Sequence, residues 1–215
     1  MPQGGGTGRI EGVATISTRL TTARLRVRVY DEPGTPPAKL PADEQPFANV
    51  VFYLDAAPAL RGAGQAKHAP PALHQTGERF VPHVLPIVTG ATVEFPNDDE
   101  IFHNVFSLSR AKTFDLGRFP QGASKSVTFP AAGVVQVFCH IHADMNGYIL
   151  VLDNSFFVVP DAQGHFSLDG IPPGDYRLIA WHERIRPVVI PVRVDAGRAT
   201  SVQVRIPIPE TAAPP

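Results

Sequence analysis

Proline takes 23 of the 215 positions in this chain, about one in nine, and glycine takes another 18. A proline inside a helix removes a hydrogen-bond donor and clashes with the preceding turn, so long helices have little room here. The segments between the prolines alternate with a period of two. In Ala23–Tyr30, Leu25, Val27 and Val29 face one way and Arg24, Arg26 and Arg28 the other. Near the end, Val202, Val204 and Ile206 alternate with Ser201, Gln203 and Arg205. Both runs have the pattern of half-buried strands. Further β-rich runs are Arg9–Ile16, Asn49–Leu54, Ala91–Phe95, Ser126–Phe129, Val134–Cys139, Tyr148–Leu152, Ser155–Val159, His165–Leu168, Tyr176–Trp181 and Val188–Val194. About a dozen short strands separated by Gly, Pro, Asn and Asp predict an all-β chain, a sandwich or a barrel. No stretch has the period of an amphipathic helix, and a short helical turn is expected near Ser107–Arg118. Residues 31–48 and 56–79, rich in Pro, Ala, Gly and charge, read as long loops.

The remaining composition excludes several classes. Lys plus Arg number 19 against 20 Asp plus Glu, a net charge of -1, so there is no broad basic face for nucleic acid. Hydrophobic residues make up 43%, too many for a disordered chain. No apolar run reaches the ~18 residues that span a membrane. The opening MPQGGGTGRIEG lacks the basic segment, apolar segment and cleavage site of a secretory leader. That fits a cytosolic protein or a mature chain whose leader has been removed. The single cysteine, Cys139, excludes an intramolecular disulfide and is buried, reactive or a metal ligand.

The chemistry concentrates in GVVQVFCHIHADMNGYILVL, residues 133–152. A strand ends at Cys139, His142 lies three residues on, and Met145 three further. Upstream, FPNDDEIFHNVFS places His103 just past a strand and a turn. One thiolate, two imidazoles and a thioether are the soft, mixed donor set that suits copper cycling between Cu(I) and Cu(II). Thiolate bonds copper covalently, imidazole suits both oxidation states, and a weak axial thioether leaves the geometry between their preferences. The bland alternatives are an inert buried thiol, a core methionine and a surface imidazole.

These residues resemble the cupredoxins, the type 1 blue copper proteins, from about Phe80 to Leu152. The short Cys139, His142, Met145 loop resembles the amicyanin type, and the flanking segments resemble plastocyanin-like or methylamine-utilisation-like proteins. The resemblance implies one type 1 copper per chain, ligated by His103, Cys139, His142 and Met145. It implies that Asn104 ties the two ligand loops together near the sulfur. It also implies a periplasmic carrier of single electrons, not an enzyme, served by a redox protein partner such as a cytochrome or a copper or quinone enzyme. His142 is expected at the surface as the electron port, with Ala143 and Met145 in the contact rim. Copper delivery or storage is the alternative, and it calls for a more open, exchangeable site.

DAQGHFSLDGIPPGDYRLIAW, residues 161–181, resembles the carboxypeptidase regulatory-like β-sandwich through Gly164, Phe166, Leu168, Pro172, Pro173, Gly174, Tyr176 and Leu178. Its opening strands resemble RIEGVAT and ANVVFYLD. The implied organisation is a discontinuous sandwich from residues 1–60 and 153–210, with a Greek-key copper domain at 74–152 inserted between its strands. Such modules are usually structural.

Other polar residues are weaker candidates. His140 follows Cys139 as in multicopper oxidases, but Phe138 stands where those carry another histidine, and no further His-x-His pair exists. His140 is expected to face away from the copper or to lie on an electron path. His83 has a possible near-site role, and His68 and His74 could bind a surface metal. Trp181-His182-Glu183 reads as packing. Asp98, Asp99 and Glu100 read as a solvated turn or as part of a docking surface. No nucleophile–base pair or phosphate loop stands out.

Overall fold

The computed structural model describes residues 6–16, 47–55, 60 and 70–207. The strand expected at Ala23–Tyr30, most of the two long loops and His68 lie outside the described residues. Among the described residues there is no α-helix, and no helix is long and apolar enough to cross a membrane.

The chain opens with β1 (Gly8–Ile16) and β2 (Val51–Leu54). A central run follows: β3 (His74–Gln75), β4 (Phe80–Val81), β5 (Val84–Val88), β6 (Thr92–Pro96), β7 (His103–Ser109), β8 (Lys112–Phe119), β9 (Ser124–Thr128), β10 (Gly133–Phe138) and β11 (Asn146–Leu152). Then come β12 (Phe157–Val158), β13 (His165–Ile171), β14 (Gly174–Trp181), β15 (Val188–Val194) and β16 (Ala199–Ile206). The helical turn expected near Ser107–Arg118 is instead the β7–β8 hairpin, with Ser109 opposite Lys112 across a two-residue turn. Buried Val105 and Ser107 on one face of β7 satisfy the period of two, and the pairing uses backbone groups that one helical turn would leave exposed.

The first and last strands share sheets. β1 lies between β13, antiparallel, and β16, parallel, in a three-stranded sheet. β2 pairs with β12 and β14 in a four-stranded sheet of order β12-β2-β14-β15. Their inner faces meet in a core containing Ile10, Phe52, Leu54, Phe166, Leu178 and Ile206. Phe52 of one sheet stacks on Phe166 of the other, with centroids 4.0 Å apart. Gly12 permits this closeness, because a Cβ there would lie 2.6 Å from the Phe166 ring and 2.7 Å from Val202.

The central run builds a five-stranded sheet of order β5-β11-β10-β7-β8, accompanied by the β6–β9 and β3–β4 ribbons. Phe95, Val105, Phe129, Val135, Val137 and Ile149 fill its core. β11 is apolar on both faces, and the packing explains why. Ile149 and Val151 enter this core, whereas Leu150 and Leu152 meet Val51, Val84 and Trp181 in a seam against the four-stranded sheet. Tyr148 and Trp181 make an edge contact at 5.9 Å in that seam.

Candidate metal centre

Strand periodicity sets the first two donors. On β10, Val135 and Val137 point into the core, and Cys139 continues that alternation one residue past the strand end. His103 opens β7 on the same inward face as Val105. β7 and β10 are antiparallel neighbours, with Phe106 opposite Phe138, so the start of one strand lies beside the end of the other. The loop from Cys139 then turns back on itself. Met145 N–H donates to the His142 carbonyl and Cys139 N–H donates to the Met145 carbonyl, each at 3.1 Å, which feeds the chain into β11.

The outcome is a cluster of three donors whose ligand atoms all lie within 4.8 Å of one another: His103, Cys139 and His142. Cys139 Sγ is 3.9 Å from His103 Nδ1 and 3.8 Å from His142 Nδ1. The two Nδ1 atoms are 3.1 Å apart. Around one ion, metal–nitrogen bonds of about 2.0 Å and a metal–sulfur bond of about 2.3 Å in a trigonal plane give N···N near 3.5 Å and N···S near 3.7 Å. The residues therefore fit a metal, and their softness fits copper. Among the described residues no other trio of His, Cys, Asp and Glu side chains gathers its ligand atoms this closely.

Burial differs among these residues. His103 is 0% exposed and Met145 1%, Cys139 is buried, and His142 is half-buried. Met145 belongs to the same core as Cys139, so the expected rim position falls to others. Ala143 is exposed, and so are Ile101, Phe102 and Ile141, apolar residues next to His103 and His142 in sequence.

Asn104 is buried, but its side chain turns to β8. Nδ2 donates to Asp115 Oδ1 at 2.7 Å, and Oδ1 has no hydrogen-bond partner among the described residues. Asp115 also accepts from Gly117 N–H. These bonds, Gly117 foremost and then Asn104, hold its carboxyl below the ordinary range. His140 lies outside the donor cluster, its ring stacked on Phe106 at 3.7 Å and 4°. His83 Nε2 lies 3.8 Å from Glu183 Oε1, and its ring contacts Tyr148 in the seam. His74 Nδ1 contacts Asp98 Oδ2 at 2.8 Å.

Asn97, which the sequence reading passes over, and Asp99, read there as part of a solvated turn or docking surface, shape the loop before His103. Asn97, buried at the end of the β6 segment, donates to the carbonyls of Ile101 and Phe119 and accepts Asp99 N–H. Asp99 Oδ2 lies 2.8 Å from His103 Nε2. Burial pushes the Asp99 carboxyl up, but N–H donation from Glu78 and Gly77 and the contact with His103 outweigh it and leave the group below its ordinary value. The i, i+4 spacing of Asp99 and His103 was the available signal, hidden within three consecutive acids.

No family model matches the sequence, and no curated protein matches it. Among solved structures, the chain is similar to a Cu-containing nitrite reductase (NirK) from Thermus scotoductus SA-01, at 29% identity and a TM-score of 0.37 over 42% of this chain. It spans only 24% of that structure's own length. It is similar to a purple cupredoxin from Nitrosopumilus maritimus, at 24% identity and a TM-score of 0.35, over 38% of this chain and 98% of that one. It is similar to a mutant amicyanin in its reduced Cu(I) form, at 18% identity and a TM-score of 0.37, over 46% of this chain and 97% of that one. The chain is all-β, and the part of it that these cupredoxins match is less than half of its length.

Proposed function

We propose that the chain is a type 1 copper protein that holds one ion through His103, Cys139, His142 and Met145 and passes single electrons between redox protein partners. The observation that carries this reading is the gathering of one thiol and two imidazole nitrogens within 4.8 Å at the buried end of a sheet. Copper, when bound, supplies a one-electron couple. Everything else is the work of the chain. Cys139, His103 and Met145 exclude water by burial, and the two backbone bonds of the 139–145 loop hold the donors in place. Little reorganisation on electron exchange follows from donors held this way.

Half-buried His142 is the ligand best set to serve as the electron exit. Exposed Ile141, beside it in sequence, and exposed Ile101 and Phe102, just before His103, offer apolar contact for a partner such as a cytochrome or a copper or quinone enzyme. In this reading the protein is periplasmic and carries electrons without catalysing a turnover. Residues 74–152 form the copper unit, and residues 1–60 and 153–210 form the regulatory-like sandwich that supports it. The closed site favours electron transfer over copper delivery.

The test is the visible spectrum after Cu(II) loading. An intense thiolate-to-copper band, absent from Cys139→Ser, is the expected outcome; a band that survives the substitution overturns the ligand assignment. Copper loss to a moderate chelator, measured beside electron exchange with a small redox protein, tests the role. Slow loss with fast exchange is expected, and fast loss with sluggish exchange moves the reading to copper delivery.

A further inference from the structure

We propose that Asp99 is a positioning residue: its carboxylate holds the His103 imidazole as the Nε2–H tautomer with the Nδ1 lone pair turned to the metal, and the turn at Gly77–Glu78 holds Asp99. The inference rests on the reading of His103 as a metal ligand.

Three nitrogens surround the carboxylate. Gly77 N–H reaches Oδ1 at 2.6 Å, Glu78 N–H reaches Oδ2 at 2.9 Å, and His103 Nε2 lies 2.8 Å from Oδ2. Gly77 and Glu78 are the two central residues of the β3–β4 hairpin turn, and both are left-handed, with φ of 60° and 57°. A left-handed conformation is uncommon for glutamate. Here it aims two successive N–H groups at one acceptor, the anion-binding arrangement of a backbone nest. The hairpin is sewn to the same segment by independent bonds. Asp98 N–H donates to the Gln75 carbonyl at 3.0 Å, Thr76 Oγ1 donates to Asp98 Oδ2, and His74 Nδ1 contacts that oxygen. Asp99 therefore has no freedom to turn to solvent, and its side chain is only 16% exposed.

An ionised carboxylate only accepts hydrogen bonds, so the single N–H of neutral His103 belongs on Nε2. A carboxylate behind a metal-bound imidazole fixes its orientation and raises its basicity. A second consequence concerns His142. Its Nδ1 is 3.1 Å from His103 Nδ1, and two lone pairs at that distance repel. In metal-free protein one of the two nitrogens must carry a proton, and Asp99 assigns it to His142 Nδ1, which donates to His103.

The experiment is long-range proton–nitrogen correlation of the histidine rings in 15N-labelled, metal-free protein at pH 8. The expected result is a protonated Nε2 and bare Nδ1 for His103, with a protonated Nδ1 for His142. A proton on His103 Nδ1 overturns the proposal, and this measurement needs no variant. In Asp99→Asn, whose side-chain amide can donate as well as accept, His103 should populate both tautomers. Affinity for Cu(II) and for Zn(II) should each fall about 10- to 100-fold. Unchanged tautomer and unchanged affinities in that variant also overturn it. The tautomer and the zinc affinity do not depend on copper chemistry. If both behave as expected while Cu(II) gives no intense band, the copper reading fails and the positioning role stands.

Discussion

Replacing His182 should flatten the acid limb of the stability curve. The imidazole, one residue past the end of β14, is 3% exposed; its Nδ1 accepts Arg184 N–H at 3.1 Å and lies 3.4 Å from Glu183 Oε2. Burial, with added repulsion from Arg184 and His83, lowers its pKa to about 4 from the ordinary 6.5. The folded protein thus keeps His182 neutral where the unfolded chain already binds a proton. Stability from this group is complete above pH 6.5, declines as pH falls from 6.5 towards 4, and changes no further below. At about 1.4 kcal/mol per pH unit, the full decline is about 3 kcal/mol. His182→Asn retains an acceptor of similar reach for Arg184 N–H and does not titrate in this range. Urea unfolding of metal-free protein and variant from pH 8 to pH 4, followed by fluorescence of Trp181, the chain's single tryptophan, measures the difference. The two curves should converge or cross as pH falls. Curves that stay parallel throughout refute the assignment of a buried neutral imidazole.

Two further outcomes follow from packing and ligation. Leu150→Ala empties a 3% exposed position in the seam and should cost about 2–5 kcal/mol in urea unfolding while leaving the copper band in place, since the donors lie on the opposite face of β11. A loss under about 1 kcal/mol shows the seam contributes little. Met145→Leu is close in volume, keeps the loop packed, and removes the thioether proposed as a weak donor to Cu(II). Voltammetry should show a higher reduction potential with the band retained, each rise of about 59 mV being a tenfold shift towards Cu(I); a lower potential argues against axial donation.

Legibility in the sequence followed the physical range of each signal. Alternation is local, so the strands at Val188–Val194 and near Val134–Cys139 were readable to within a residue or so of their observed ends. The Cys139, His142 and Met145 spacing is local as well, and His103 could be added because its own flank is distinctive. Ser107–Arg118 misleads because Ser, Arg, Lys and Asp interrupt its apolar residues, and the hairpin becomes apparent only when β7 faces β8. Asp99 was only faintly marked, by its i, i+4 spacing from His103, for another reason. Its partners Gly77 and Glu78 are 22 and 21 residues away, and a run of three acids looks solvated until a distant turn supplies N–H groups. Asn104 could be marked as important, but its choice of Asp115 over the ligand loop depends on where β8 lies.

The place of β1 between β13 and β16 bears on how the protein is made. Ser201 donates to Glu11 across 190 residues, and every residue from Arg9 to Ile16 has a parallel partner between Ala199 and Ile206. Closing a loop of that length costs about 5 kcal/mol before any strand contact compensates it. During synthesis, β1 leaves the ribosome ahead of the other described strands and must wait for β16, some 190 residues later, before its second neighbour exists. The central strands pair over much shorter separations, so the candidate metal centre can take shape while β1 still presents an unpaired edge to its surroundings. Of the described strands, the one most exposed to wrong pairing during synthesis is therefore β1, which carries none of the residues of the candidate metal centre.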